Sequence, residues 1–175
     1  EIRDEDTAKM ALRAAMTGHQ VYSTLHTNSA LGAIPRLLDI GILPDIMAGN
    51  IIGVIAQRLI RKLCAHCKQE YQAQGIEEKI ICGNDTSGPI NIYRAIGCDH
   101  CTHLGYKGRT AVIEVLKLDP DLDDLVSRRA SMRELRALAI KKGFRTLVDD
   151  GIRKVRSGVT SLEEVSRVLD LTERI

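Results

Sequence analysis

The sequence predicts an α/β chain with a mixed start, an excursion clasped by paired cysteines, a return strand and a closing set of short helices. Three observations carry this. The β-branched stretches at 21–25 and 109–118 are bounded by turn residues and read as strands. Four of the five cysteines fall in two knuckles, Cys64-Ala65-His66-Cys67 and Cys98-Asp99-His100-Cys101, with 30 residues between them. Helix-capping signals recur from Pro120 onward.

In chain order, residues 5–17 place Ala8, Ala11, Leu12 and Ala15 at helical spacing. Asp4, Glu5 and Asp6 stand where negative charge favours a helix start, and Gly18 stands where a helix ends. After the 21–25 strand, Asn28 or Ser29 can cap a second helix running to Leu38, with Pro35 imposing a kink or a late start. Pro44 is a good first residue for a third helix over roughly 45–58, whose apolar run from Ile46 to Ala56 reads as buried. A short strand then leads into Cys64. The insert between the knuckles offers a helix near 76–81, a turn over 83–89 and a strand from Ile90 to Tyr93. Gly105-Tyr106-Lys107-Gly108 reads as a tight turn before the return strand. Helices are expected at 120–128, from Ser131 to about Lys142, at 145–156 and at 161–168. Ser131-x-x-Glu134 and Ser161-x-x-Glu164 serve as capping boxes. The segments group as 1–63, 64–109 and 110–175.

Composition excludes several classes. Hydrophobic residues make up 44% and charged residues 27% of 175, an ordinary globular balance. With one Phe and no Trp, the core must be aliphatic. A net charge of +2 is too mild to point to nucleic acid. No apolar run reaches the length of a membrane span. The start carries no secretory signal and no initiator Met, so a segment of a longer protein is expected.

An odd number of cysteines without a signal favours a reducing compartment. Two thiolates at i, i+3 in a knuckle can point at one ion. A second knuckle completes four soft ligands at tetrahedral angles, which suits Zn²⁺ on Cys64, Cys67, Cys98 and Cys101. Four reduced core cysteines or two disulfides are the alternatives. His66, His100 and His103 flank a shell that is already full. Cys82 reads as a small apolar filler.

Outside the knuckles, Glu1 and Asp4 offer carboxylates able to hold Mg²⁺ through water. His26 closes an apolar strand beside Thr24, Thr27 and Asn28, where open α/β sheets gather ligands. A buried structural histidine is the plainer reading. No phosphate-cradling G-x-x-x-x-G-K-[ST] loop occurs in the sequence.

Several stretches together resemble the ATPases that power type II secretion and type IV pilus assembly. Glu1-Ile2-Arg3-Asp4 followed by Thr7-Ala8 is similar to the end of that family's Walker B segment, with Asp6 where the family commonly has Glu. Ser23-Thr24-Leu25-His26-Thr27-Asn28 resembles its histidine box, and Ala56-Gln57-Arg58-Leu59 the segment before its zinc site. Cys98-x₂-Cys101 followed by Gly105-Tyr106-x-Gly108-Arg109, with Glu114 beyond, resembles its second knuckle. The four cysteines point to the secretion and pilus-extension branch.

The resemblance implies part of a RecA-like ATPase core with a tetracysteine insertion and a C-terminal helical bundle. It implies a homo-hexamer at the cytoplasmic face of the inner membrane, engaging the membrane platform and cytoplasmic components of the machine. ATP and Mg²⁺ are the implied cofactors, with structural Zn²⁺ on the cysteines. Glu1 is then the catalytic Walker B glutamate acting on Mg²⁺-bound water, and His26 contacts the γ-phosphate. Walker A, the aspartate box and the arginine fingers would precede Glu1, so the stretch alone is expected to be inactive. The competing reading is a zinc-ribbon module for nucleic acid or a protein partner, motivated by Arg58, Arg61, Lys62, Lys68, Lys107 and Arg109 near the knuckles. Scarce aromatic residues speak against nucleic acid.

Overall fold

The computed structural model describes residues 1–83 and 88–174. The turn expected over 83–89 therefore lies largely outside the described residues. Acidic residues open the first helix, α1 (Glu5–Met16): the Asp4 carboxylate caps it by accepting from Thr7 N at 2.8 Å. Ala8 and Leu12 form its buried face.

Residues 21–25 do not form the expected strand. A single parallel bridge joins Ile2 to Leu25, with Ile2 N donating to Thr24 O at 2.9 Å. Val21 and Tyr22 are exposed. β-branched residues favour a pleated surface, but without a paired neighbour along its length the segment makes no ladder. Helix α2 (Ala33–Asp39) starts late, in keeping with Pro35, and Ser29 Oγ accepts from Gly32 N at 3.1 Å just before it.

The expected helix over 45–58 is the largest correction. Helix α3 (Pro44–Met47) is one turn long, and Ala48 is already extended at φ −60°, ψ 129°. The run that follows is strand β1 (Gly53–Leu63), with Ala56, Ile60 and Leu63 buried. Ile51, Ile52, Val54 and Ile55 are stiff at χ1, and Gly49 and Gly53 are poor helix formers. Ala56 and Ile60 stand four apart, a spacing that a helix face and a strand face share, so periodicity alone does not separate the two.

Strands β2 (Gln69–Gln72) and β3 (Asn91–Arg94) pair antiparallel, Gln69 opposite Arg94 and Gln72 opposite Asn91. Helix α4 (Ile76–Cys82) lies between them in sequence, close to the expected place. Strand β4 (Tyr106–Lys117) begins inside the stretch read as a tight turn. The chain instead reverses through Thr102 and His103, which adopt left-handed φ of 49° and 60°. Strands β1 and β4 form a two-stranded sheet. Leu118 N donates to Ile52 O beyond one end and Cys64 N to Gly105 O beyond the other, so the strands run antiparallel.

Among the described residues four α-helices and a final 3₁₀ turn, Thr172–Arg174, follow. In α5 (Pro120–Ser127) Asp119 caps through Leu122 N at 3.1 Å. In α6 (Met132–Lys141) Ser131 and Glu134 form the expected reciprocal box. In α7 (Leu147–Arg156) Thr146 and Asp149 form a second box that was not anticipated. In α8 (Leu162–Val168) only half the expected box exists: Ser161 Oγ accepts from Glu164 N at 3.2 Å, but the Glu164 carboxylate is used elsewhere.

The chain packs as two units, one of residues 1–56 and 114–145, the other of 57–113 and 146–175. The first is built on Ala8, Ile34, Leu37, Met47, Leu116, Leu125 and Leu135. The second is built on Ile60, Ile81, Ile92, Val112, Val155 and Val165. In that second unit Glu164 is fully buried. It accepts from Arg61 N at 2.9 Å and from the guanidiniums of Arg61 at 2.6 Å and Arg167 at 2.7 Å. Burial pushes its carboxyl up, yet the hydrogen bonds from Arg167 and Arg61 outweigh this and bring it down to about 2. Arg61 also stacks over the Tyr106 ring at 4.1 Å, and the Tyr106 hydroxyl meets Ser161 Oγ at 2.6 Å. No described helix is long and apolar enough to cross a membrane.

Candidate functional site

The second unit brings the four predicted cysteines together. The first knuckle follows the end of β1, and Lys68 N donates back to Cys64 O at 3.0 Å to close its turn. The second wraps a single 3₁₀ turn, residues 99–101, with His103 N donating to Cys98 O at 2.9 Å. Two glycines permit the close approach. A side chain at Gly97 (φ +114°) would lie 2.6 Å from His103 O, and one at Gly105 (φ +75°) would lie 2.6 Å from the Ala95 Cβ.

The four sulfurs lie within 4.8 Å of one another. Cys64 is 3.9 Å from Cys98, Cys67 is 3.8 Å from Cys101, and Cys98 is 3.8 Å from Cys101. A tetrahedral zinc with bonds of about 2.3 Å sets its sulfurs about 3.8 Å apart, so the cluster fits that ion. Backbone donors support thiolates: Gly97 N reaches Cys67 Sγ at 3.3 Å, and Cys98 N and Gly105 N both reach Cys101 Sγ at 3.2 Å. Burial opposes ionisation of Cys101, but these amides and the neighbouring thiols bring it down to about 7. Burial pushes the Cys98 thiol up to about 12, with Cys67 and Cys101 adding to the effect. Four thiols in contact cannot all ionise without a cation to balance them, which a divalent metal supplies.

The histidines beside the knuckles are not ligands in this arrangement. His66 and His100 stack with centroids 4.0 Å apart and an interplanar angle of 19°, both at the surface. His103 Nε2 faces Asp99 Oδ1 at 3.1 Å. Cys82 ends α4, half-buried and apart from the cluster.

The first unit brings Glu1 and His26 together. The parallel bridge between Ile2 and Leu25 draws the two segments together, and diagonally across it the His26 Nε2 meets the Glu1 carboxylate. Arg3 engages the other Glu1 oxygen at 2.6 Å. That hydrogen bond, more than any other influence, holds the Glu1 carboxyl below the ordinary glutamate range. The His26 side chain is 79% exposed, so it is not the buried structural histidine that the sequence also allowed. A carboxylate and an imidazole in contact at a surface can order a water and present a hydrogen-bond donor to an anion.

Two contacts are not readable from the sequence, although Arg3 and Glu114 both stand in stretches that carry the family resemblance. Arg3 as the partner of Glu1 was hidden in an ordinary charged terminus. Glu114 on β4 is almost fully buried, and its carboxylate accepts from Ala30 N, four residues after His26.

A family model described as type II/IV secretion system protein matches residues 1–167. The type IV pilus assembly ATPase TfpB of Acinetobacter baylyi is 47% identical, over 98% of this chain and 30% of its own length. The type II secretion system ATPase E of Vibrio cholerae is 45% identical, over 96% of this chain and 33% of its own. The type IV pilus assembly ATPase PilB of Pseudomonas aeruginosa is 43% identical, over 96% and 30%. The chain spans about a third of the length of these relatives. With the paired knuckles, the Glu1–His26 contact and this match along nearly its whole length, the chain belongs to the type II/IV secretion system protein family.

Proposed function

We propose that this chain is one edge of the nucleotide site, with the zinc-clasped lobe, of a motor ATPase driving type II secretion or type IV pilus assembly. The contact between His26 and Glu1 carries the reading. Glu1, kept ionised by Arg3, orients the attacking water and takes up its proton. His26, exposed beside it, donates a hydrogen bond to the γ-phosphate. Mg²⁺, when bound with ATP, neutralises the developing phosphate charge. Cys64, Cys67, Cys98 and Cys101 hold a structural Zn²⁺ that shapes the lobe but takes no part in phosphoryl transfer. The names of the relatives support the same role. From the resemblance alone we carry over a homo-hexamer with a RecA-like core and a C-terminal bundle at the inner membrane's cytoplasmic face.

Phosphoryl transfer needs a phosphate-cradling loop, and this sequence has none. The 175 residues by themselves are therefore expected to hydrolyse no ATP above background, whereas full-length protein does. Robust turnover by the isolated stretch would place the phosphate site elsewhere and overturn the assignment of Glu1 and His26 to one edge of it.

A further inference from the structure

We propose that Glu114 is a positioning residue that anchors the turn after His26 and so holds the histidine at Glu1. The inference rests on the roles of Glu1 and His26 proposed above. Glu114 lies on β4, two residues before the inward-facing Leu116, and is itself only 4% exposed. A carboxylate in an apolar stripe is costly unless it is hydrogen-bonded, so its place there needs a partner that repays the burial. One such partner is distant in sequence: Glu114 Oε1 accepts from the backbone N–H of Ala30, which is completely buried.

The segment between Leu25 and Gly32 is folded on itself. Thr27 Oγ1 donates to Ser29 O at 3.0 Å and Ser29 Oγ accepts from Gly32 N at 3.1 Å. The His26 side chain is too exposed for packing to set its position. Its backbone sets it instead, fixed on one side by the Ile2–Leu25 bridge and on the other by the Glu114–Ala30 hydrogen bond. Through its bond to Ala30 N, Glu114 acts on the main chain.

The test combines kinetics with a readout that does not depend on turnover. In full-length protein, Glu114→Ala is expected to lower kcat roughly ten- to a hundredfold with KM little changed, the scale that misplacing a reacting group produces. Glu114→Gln keeps an acceptor for Ala30 N and is expected to recover most of that loss. Glu114→Ala combined with His26→Ala is expected to lose no more than His26→Ala alone, because both act through one group. In the 175-residue chain, Glu114→Ala is expected to shift the His26 ring resonances in NMR spectra while zinc content, held in the other unit, stays unchanged. Multiplying losses in the double variant, or unmoved His26 resonances in folded protein, overturn the proposal. If Glu114→Ala does not fold, Glu114→Asp, whose shorter side chain withdraws the acceptor from Ala30 N, carries the test through a displacement of the Ala30 amide and His26 signals, whose absence overturns the proposal equally. Full turnover by His26→Ala would instead refute the role of His26 itself, and the ring resonances would still decide whether Glu114 positions it.

Discussion

Single residues show both the reach and the limit of the sequence. Ser161 and Glu164 have the spacing of a capping box, and Ser161 does cap α8. Glu164 does not return the bond because Arg61 and Arg167 have taken its carboxylate, and Arg61 is 103 residues away. Nothing local in the sequence reveals such a partner. Removing Glu164 leaves the Arg61 N–H without its acceptor and empties a fully buried site, while the half-exposed guanidiniums of Arg61 and Arg167 return to water, so Glu164→Ala is expected to destabilise the fold by about 2 kcal/mol in denaturant titrations. The folded Glu164 lies near 2, below the ordinary 4.5, so its contribution is complete above pH 4.5 and is lost as pH falls from about 4.5 towards 2. Thermal midpoints of the native protein should drop through that window more steeply than those of Glu164→Gln. Arg3 offers a similar test at the site. It lowers the Glu1 carboxyl, so Arg3→Ala lets that carboxyl rise, and the acid limb of the turnover profile should move to higher pH while the neutral plateau changes little.

At the scale of elements, helices with caps were legible and strands without neighbours were not. Helices α1, α5 and α6 each start at a side chain whose bond to the backbone lies within four residues, so the information is local. Strands are defined by partners elsewhere in the chain. Residues 21–25 carry strand-forming side chains but, among the described residues, form a single bridge at Leu25, and β1 hid behind a spacing it shares with a helix. The knuckles were legible because metal chemistry fixes their spacing, and the structure adds the close packing around them. Gly105→Ala would force a side chain into Ala95 at a left-handed φ, and is expected to destabilise the chain by about 2 kcal/mol and to weaken zinc retention against a competing chelator. Removing zinc from reduced protein should accelerate amide exchange at 64–68 and 97–105 far more than in α5 and α6, which belong to the other unit. Equal acceleration throughout would mean that the metal supports the whole fold.

At the scale of the molecule, each unit takes residues from both halves of the chain. Such interleaving joins segments more than a hundred residues apart, and composition and periodicity carry no trace of it. The two sites divide between the units, Glu1 and His26 in one and the cysteines in the other, as the separate roles proposed for them require. The proposed catalytic role of that edge depends most on Glu1. The most direct measurement is ATP turnover by full-length protein carrying Glu1→Gln, with bound nucleotide quantified in parallel. Turnover should fall by about a hundredfold or more while ATP binding persists, since the substitution removes the proton acceptor but leaves the phosphate contacts in place. Undiminished turnover with normal binding would contradict the assignment of Glu1 to the hydrolytic step.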